Sequence, residues 1–279
     1  MEIAVADERA YWIKETLTLE QAQGRAWAKK VDAFGTIAKF LQRPKDAEIE
    51  LTYSEKRYEP FWHVICHARY VYDRGRKYTI NVEDTEVKAL TIHGERYEVQ
   101  EKPKLHIALP AMEHCSEEYS REVFVDAISG DKQDWAGYLK YDRDLIEDID
   151  SFASEGAIVV PPEVRASYVV RETLGNLMKA VQADTVHEEL VEVETVDLYY
   201  RPVYAFEYLW QPKGKRAVIE FDGLTGEIRT GGKAIRQQVG RVLTKELLFD
   251  IGVDTVDLFV PGGGIAIKLV RAIAERRKK

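Results

Sequence analysis

The chain has 279 residues, of which 45% are hydrophobic and 32% are charged, a composition typical of globular rather than disordered proteins. This length suits one large or two ordinary domains, and the net charge of −8 argues against a general nucleic-acid binder, which needs a clustered basic face. The acidic N-terminal segment predicts no signal peptide, no apolar run is long enough to span a membrane, and two cysteines make no disulfide framework. These features predict a cytoplasmic protein.

The first half of the chain is predicted to hold one helix followed by strands. Apolar residues at helical spacing predict a helix from Thr18 to Leu41, with Thr18 as its N-cap and Pro44 as its stop. Alternating residues predict a hairpin around the turn Asp73-Arg74-Gly75. The predicted strands cover 48–53, 61–72, 77–82, 87–92, 97–99, 105–109 and 121–127. The sequence leaves open whether 87–139, which has no evident counterpart later, is an insertion or a third unit.

The second half is predicted to repeat this order and to end in helices. A helix is expected to begin at Pro162 or Glu163 and to end near Met178. Strands are then predicted at 190–198, 203–210 and 216–221, and helices at 239–249 and 265–276. We expect a first unit over 1–150, a second unit over 151–235 and a C-terminal helical extension over 236–279.

An internal repeat is the most informative feature of the sequence. Tyr58-Glu59-Pro60 recurs as Tyr200-Arg201-Pro202, an offset of 200 − 58 = 142 residues, and each copy follows a predicted helix at a similar distance. A fixed period of this kind sets the architecture. It predicts an α+β protein made of two tandem helix-plus-antiparallel-sheet units.

The repeated pattern resembles a known family. Each copy has a predicted helix, then a Tyr-x-Pro-aromatic strand, a charged turn and a strand that ends in an acidic residue. The second copy adds Asp222-Gly223-Leu224-Thr225-Gly226-Glu227, whereas the first has Glu83-Asp84-Thr85-Glu86 at that place. This resembles the PepSY domain, a small cystatin-like α+β module, over roughly half of the chain. The resemblance implies a non-catalytic module for peptidase inhibition or protein contact, although such modules are usually extracytoplasmic.

The sequence HVICH contains the best candidate metal ligands. On a strand, His63 and His67 share one face while Cys66 points to the other, because strand side chains alternate. A zinc site needs three or four ligands, which His106, His114 and Cys115 would complete if the fold brought them close. The alternative is that these are ordinary strand residues, and we predict no metal or other cofactor. Whether His63, Cys66 and His67 bind metal stays open.

The predicted C-terminal helix is the candidate partner-binding element. Its apolar side and a neighbouring cation form the predicted contact surface, which consists of Ile265, Leu269, Val270, Ile273 and Arg271. The basic end of the same helix also permits contact with an anionic membrane surface. A third interpretation is a terminal helix packed on the core.

No nucleophile elbow, zinc-peptidase motif or catalytic carboxylate pair stands out, so we expect no catalytic residues. The predicted function is a non-catalytic adaptor or accessory protein that binds a protein partner or forms a homo-oligomer, without nucleic acid. The alternatives are a metal-assisted enzyme that uses His63 and His67, and a peripheral membrane protein that uses the basic tail.

Overall fold

The computed structural model describes residues 2–35, 44–148, 152, 156–178, 180–230, 249 and 268–271. Within these ranges, a mixed sheet contains ten strands and a separate hairpin contains two. The two helices are α1 (Leu19–Ala28) and α2 (Ala166–Leu177). The strands are β1 (Glu2–Val5), β2 (Arg9–Ile13), β3 (Ile49–Asn81), β4 (Ala89–Ile92), β5 (Glu95–Glu98), β6 (His106–Asp126), β7 (Arg143–Leu145), β8 (Ala157–Val159), β9 (Thr185–Trp210), β10 (Lys215–Asp222), β11 (Ile228–Thr230) and β12 (Lys268–Arg271).

Three long strands form the centre of the sheet. β3 has 33 residues and lies between β9 and β6, both of which run antiparallel to it. The predicted turn at Asp73-Arg74-Gly75 is wrong, because β3 continues through it. Asp73 pairs with His114 of β6 and with Thr185 of β9, and the Gly75 N–H donates to the Asp184 carboxylate at 2.5 Å. Distant partners therefore hold a turn-like sequence in an extended conformation.

The predicted fold class, two tandem helix-plus-antiparallel-sheet units with a C-terminal helical extension, is wrong. The described residues are mostly strand, and strands from both halves of the chain belong to one mixed sheet. β3 of the first half and β9 of the second pair directly over most of their length, so the copies do not form separate sheets. Strands β1 and β2 also run parallel to β9, whereas the predicted units contain only antiparallel strands.

The two Tyr-X-Pro copies pair with each other at the middle of this sheet. Tyr58 lies opposite Pro202, Glu59 opposite Arg201, and Pro60 opposite Tyr200. An approximate two-fold axis therefore passes between Glu59 and Arg201 and relates the copies. The repeat seen in the sequence is thus a local symmetry within one sheet.

The prolines mark the point at which each long strand changes its outer neighbour. β3 is flanked by β6 from Phe61 onward and by β8 up to Tyr58. β9 is flanked by β10 from Val203 onward and by β2 up to Tyr200. Proline cannot donate a ladder hydrogen bond, so it suits the position where one neighbour ends and the next begins.

Matching turns follow the outer strands of the two copies. The Asp126 carboxylate accepts from the N–H groups of Ile128 and Ser129, and the Asp222 carboxylate accepts from those of Leu224 and Thr225. The first copy therefore has its Asp-x-x-Ser-Gly turn at 126–131, rather than near Glu83. The turn lies later in the first copy because the antiparallel pair formed by β3 and β6 is much longer than the β9–β10 hairpin.

Both helices pack on the same face of the sheet. Thr18 caps α1 through a capping box with Gln21, as the sequence predicts, although α1 ends at Ala28 and residues 36–43 lie outside the described ranges. α1 buries Ala22 and Ala26 against the aromatic residues of β9 and β10. α2 begins at Ala166, later than predicted, and buries an apolar face against the sheet near Trp62.

The opposite face is covered in part by a short segment around residues 135–141. Trp135 and Tyr138 of this segment are buried against Phe61, Phe124 and Tyr199. Beyond this segment the face is open to solvent along the ribbon formed by β3, β6 and β9.

The described part of the C-terminal region is a strand rather than a helix. β12 pairs in parallel with β1, and Leu269 lies opposite Ile3. The predicted helix over 265–276 is therefore wrong where the structure describes it, and the predicted helix over 239–249 lies outside the described residues except Phe249, which packs on Trp62. None of the described helices is long and apolar enough to cross a membrane.

Candidate interaction site

Among the described residues, β6 forms an open edge of the sheet along most of its length. Hydrogen bonds at its two ends identify the residues that point away from β3. The Phe124 carbonyl accepts from the Gln133 N–H at 3.0 Å, and His106 exchanges two hydrogen bonds with Gln100 at 2.7 and 3.0 Å. β6 pairs with β3 without a register shift, so every even-numbered residue of β6 directs its backbone N–H and C=O outward.

Six consecutive outward positions of β6 are open. Between His106 and Phe124, the described residues make no backbone hydrogen bond to these outward groups. Pro110 occupies another outward position, where its missing N–H costs no internal ladder bond. The open positions are Met112, His114, Ser116, Glu118, Ser120 and Glu122. An edge of this length can accept a further strand, which would form main-chain hydrogen bonds to these groups.

The sheet face that borders this edge carries an excess of carboxylates. We call it the acidic face, and it spans 65–75 of β3, 112–122 of β6 and 187–195 of β9. Its carboxylates outnumber its only arginine, Arg69, by six to one, which gives 1 − 6 = −5 with neutral histidines. They are Asp73, Glu118, Glu122, Glu188, Glu192 and Glu194. Arg69 forms ion pairs with Glu118 at 3.4 Å and with Glu188 at 3.7 Å, and the other four carboxylates have no lysine or arginine beside them on this face.

Histidines on and beside the acidic face each contact a carboxylate. His114 and His187 contact the two carboxylate oxygens of Asp73 at 2.6 and 2.8 Å, which joins β6, β3 and β9. The hydrogen bond from His187, which has the largest effect, and that from His114 lower the pKa of Asp73. His67 contacts Glu194 in the same way. These contacts fix side chains on the acidic face and keep Asp73 ionised at neutral pH.

On the other face of the sheet, the side chains of β6 are hydrogen-bonded to side chains of β3, so fewer of them are available to a partner. Glu113 accepts from Tyr78, Arg74 and Arg76, and the hydrogen bonds of Tyr78 and Arg74 lower its pKa to about 2. Glu117 accepts from Tyr72 at 2.7 Å. Arginine and tyrosine donors therefore occupy the carboxylates on this side, in contrast to the acidic face.

A buried ion network lies beside the two-fold axis. Arg57 donates to Glu59 at 2.7 Å, to Glu55 at 2.9 Å and to Glu220 at 2.6 Å. Arg201 donates to Glu59 at 2.5 Å and to Asp222 at 2.9 Å. The groups bind one another, which is typical of a structural network rather than a binding site.

The charge state of this network follows from its contacts. Burial opposes ionisation of Asp222, but the Tyr138 hydroxyl, the backbone N–H groups and Arg201 outweigh it and lower the pKa of Asp222. Burial also opposes the charge of Arg57, yet the carboxylates of Glu59 and Glu220 raise the pKa of its guanidinium. Asp222 and Arg57 are therefore ionised at neutral pH.

The candidate metal ligands do not converge. His63 is buried and bonds to Glu122 at 2.7 Å, whereas His67 lies on the solvent-exposed part of the ribbon beside Glu194. Cys66 is buried on the other face, where burial raises the pKa of its thiol to about 12. His106 and His114 lie further along β6, each with its own partner. No group of three or more potential ligands is arranged around a common centre in the described ranges.

Three of the five predicted partner-binding residues are in β12. Leu269, Val270 and Arg271 lie in this strand, opposite Ile3, Ala4 and Val5. Ile265 and Ile273 lie outside the described residues. Leu269, Val270 and Arg271 are therefore in a strand and not in the predicted helix.

No known protein family, curated protein or solved structure gives a significant match to this chain.

The sequence predicts only two short strands, 105–109 and 121–127, in the region that forms β6, and therefore does not predict its open edge. Between Met112 and Glu122 the apolar residues fall at 112, 115 and 119, which is not the period of two expected of a strand, so local sequence carries no clear strand signal there. That this strand lies at the edge depends on which strands flank β3, and local sequence does not encode this.

Proposed function

We propose that the protein is a non-catalytic adaptor or accessory protein that binds a protein partner by strand addition to β6. The observation that carries this proposal is the open edge between Met112 and Glu122, where six outward N–H positions have no partner among the described residues. The PepSY resemblance, which implies protein contact, points to the same role.

An edge strand of this length is unusual in a protein that exposes it only to solvent. Proteins usually shorten, twist, cover or charge their edge strands, because exposed strands recruit other chains. Here Pro110 and the glutamates limit indiscriminate pairing, while the positions from Met112 to Glu122 keep every N–H group. Such an edge remains available to a matching strand.

The test uses a proline substitution at an outward position. Ser116→Pro removes one outward N–H and no hydrogen bond to β3, while Ser116→Ala keeps the N–H and serves as the matched control. Tagged wild type and both variants are used for affinity capture from native extract, followed by mass spectrometry. Circular dichroism and thermal unfolding establish that the variants fold.

The expected result is a stoichiometric protein that wild type and Ser116→Ala capture and Ser116→Pro does not. Hydrogen–deuterium exchange of the captured complex should show protection of 112–122. Capture of the same protein by folded Ser116→Pro, or the absence of any stoichiometric protein, would refute strand addition at β6.

A further inference from the structure

We infer that the strand that adds to β6 is basic, with cations on one of its faces. This inference rests on the proposed function and names the chemistry of the partner. It follows from the direction of the side chains at the outward positions. Glu118 and Glu122 are both outward, and both side chains lie on the acidic face.

An added strand would place side chains directly beside these glutamates. Residues directly opposite in an antiparallel pair have Cβ atoms about 4.5–5.5 Å apart, and opposite charges at such positions stabilise the pair. The Glu118 side chain is 74% exposed and that of Glu122 is 48% exposed, so both can reach a neighbouring strand. Ser120 lies between them on the same face, and a cation–x–small–x–cation pattern therefore complements 118–122.

The remainder of the acidic face extends this preference. Glu188, Glu192 and Glu194 of β9 contribute charge of the same sign, and the potential of such a surface attracts cations over a Debye length of about 8–10 Å. Long lysine or arginine side chains on the added strand would reach toward this charge. An acidic strand would instead meet like charges at Glu118 and Glu122.

The same charges disfavour a second copy of this chain as the occupant. Antiparallel pairing of two β6 edges would bring Glu118 and Glu122 of one copy toward the same residues of the other. Arg121 is the only lysine or arginine between 112 and 122. Like charges in opposite positions destabilise a strand pair, so charge complementarity selects a different, basic chain.

The test uses three labelled peptides of twelve residues, with repeated Lys-Thr, Gln-Thr or Glu-Thr. Because each peptide repeats every two residues, its charged or amide side chains lie on one face in any register or direction. Binding to the full chain is measured by fluorescence anisotropy at low and at physiological salt. Light scattering of the full chain without peptide reports self-association.

The Lys-Thr peptide should bind about tenfold more tightly than the Gln-Thr peptide, and the Glu-Thr peptide should bind least. Glu118→Gln with Glu122→Gln should remove most of the Lys-Thr preference, whereas Ser116→Pro should abolish binding of all three peptides. Equal binding of all three peptides, lost in Ser116→Pro, would overturn the basic-strand inference and leave strand addition standing.

Two other results identify different failures. Lys-Thr binding that Ser116→Pro does not reduce would show attraction to the acidic face without strand addition, and both proposals would fail. Failure of every peptide to bind, together with a dimer whose formation Ser116→Pro prevents, would identify a second copy as the occupant and would refute the basic partner.

Discussion

Glu59 and Arg201 lie directly opposite each other on β3 and β9, and the Arg201 guanidinium donates to the Glu59 carboxylate at 2.5 Å. They are the central residues of the two Tyr-X-Pro copies, so one substitution between the copies supplies both members of a buried ion pair. Exact identity of the copies would place two like residues at this contact. The divergence at this position therefore stabilises the pairing of the two halves.

Arg201→Met should destabilise the protein by about 3–5 kcal/mol, because it leaves the buried carboxylates of Glu59 and Asp222 without their shared cation. Urea unfolding at pH 7 measures the change. In a double-mutant cycle with Glu59→Gln, the coupling should be about 0.5–3 kcal/mol. Arg96→Met, which breaks an ion pair that is 69% exposed on both sides, should cost under about 1 kcal/mol. Similar losses for the two arginines would contradict a structural role of the network.

Tyr58 and Tyr200 occupy corresponding positions but differ in hydrogen bonding. The Tyr58 hydroxyl donates to Glu15 at 3.2 Å, whereas the buried Tyr200 hydroxyl has no partner in the described part of the chain. The Thr16 N–H donates to the turn after β10, and the Glu163 N–H donates to the corresponding turn after β6. Thr16 and Glu163 therefore occupy corresponding positions at an offset of 163 − 16 = 147, which places Pro162 where the first copy has Glu15. Proline offers no side-chain acceptor there, and this accounts for the difference.

Tyr58→Phe should therefore cost about 1 kcal/mol, while Tyr200→Phe should leave stability unchanged or raise it. The two variants are matched controls for each other, since each removes one buried hydroxyl from the same motif. Chemical denaturation of both measures the difference. A clear loss of stability in Tyr200→Phe would show that its hydroxyl is satisfied in solution.

The turns after β6 and β10 also differ at one corresponding position. Ala127 donates its N–H to the Pro60 carbonyl at 3.1 Å, and Gly223 donates to the Pro202 carbonyl at 2.9 Å. A Cβ at position 223 would lie 2.9 Å from that carbonyl oxygen and 3.0 Å from the Pro202 ring. Gly223→Ala should therefore destabilise the protein by about 1–3 kcal/mol.

The reciprocal change provides the control for this prediction. Ala127→Gly should cost about 0.5–1 kcal/mol, through the conformational entropy of glycine rather than through overlap. Thermal unfolding of both variants compares the two effects. If Gly223→Ala is the milder change, the close approach to Pro202 does not constrain the turn.

Local features of the sequence predicted local structure well, whereas distant pairing decided the rest. The N-cap at Thr18 and the turn after Asp222 depend on neighbouring residues, and the structure confirms both. The Asp73–Gly75 segment has turn chemistry, yet His114, His187 and Asp184 come from elsewhere in the chain and hold it extended. The same limit applies to the site, because the position of β6 at the edge follows from sheet order.

Glu113 should give the ribbon a measurable sensitivity to acid. Hydrogen bonds from Tyr78 and Arg74 lower its pKa from the ordinary value of 4.5 to about 2. A carboxyl whose pKa is lower in the folded state stabilises the fold above its unfolded pKa, and this contribution is lost as pH falls toward the folded value. Glu113→Gln should therefore lower the urea midpoint at pH 7, and the difference from wild type should shrink between about pH 4.5 and pH 2. Glu118 is on the same strand and its side chain is 74% exposed, so Glu118→Gln should change the urea midpoint little at any pH between 7 and about 2. A Glu113→Gln difference that is constant with pH would show that the Tyr78 and Arg74 contacts do not favour the ionised carboxylate.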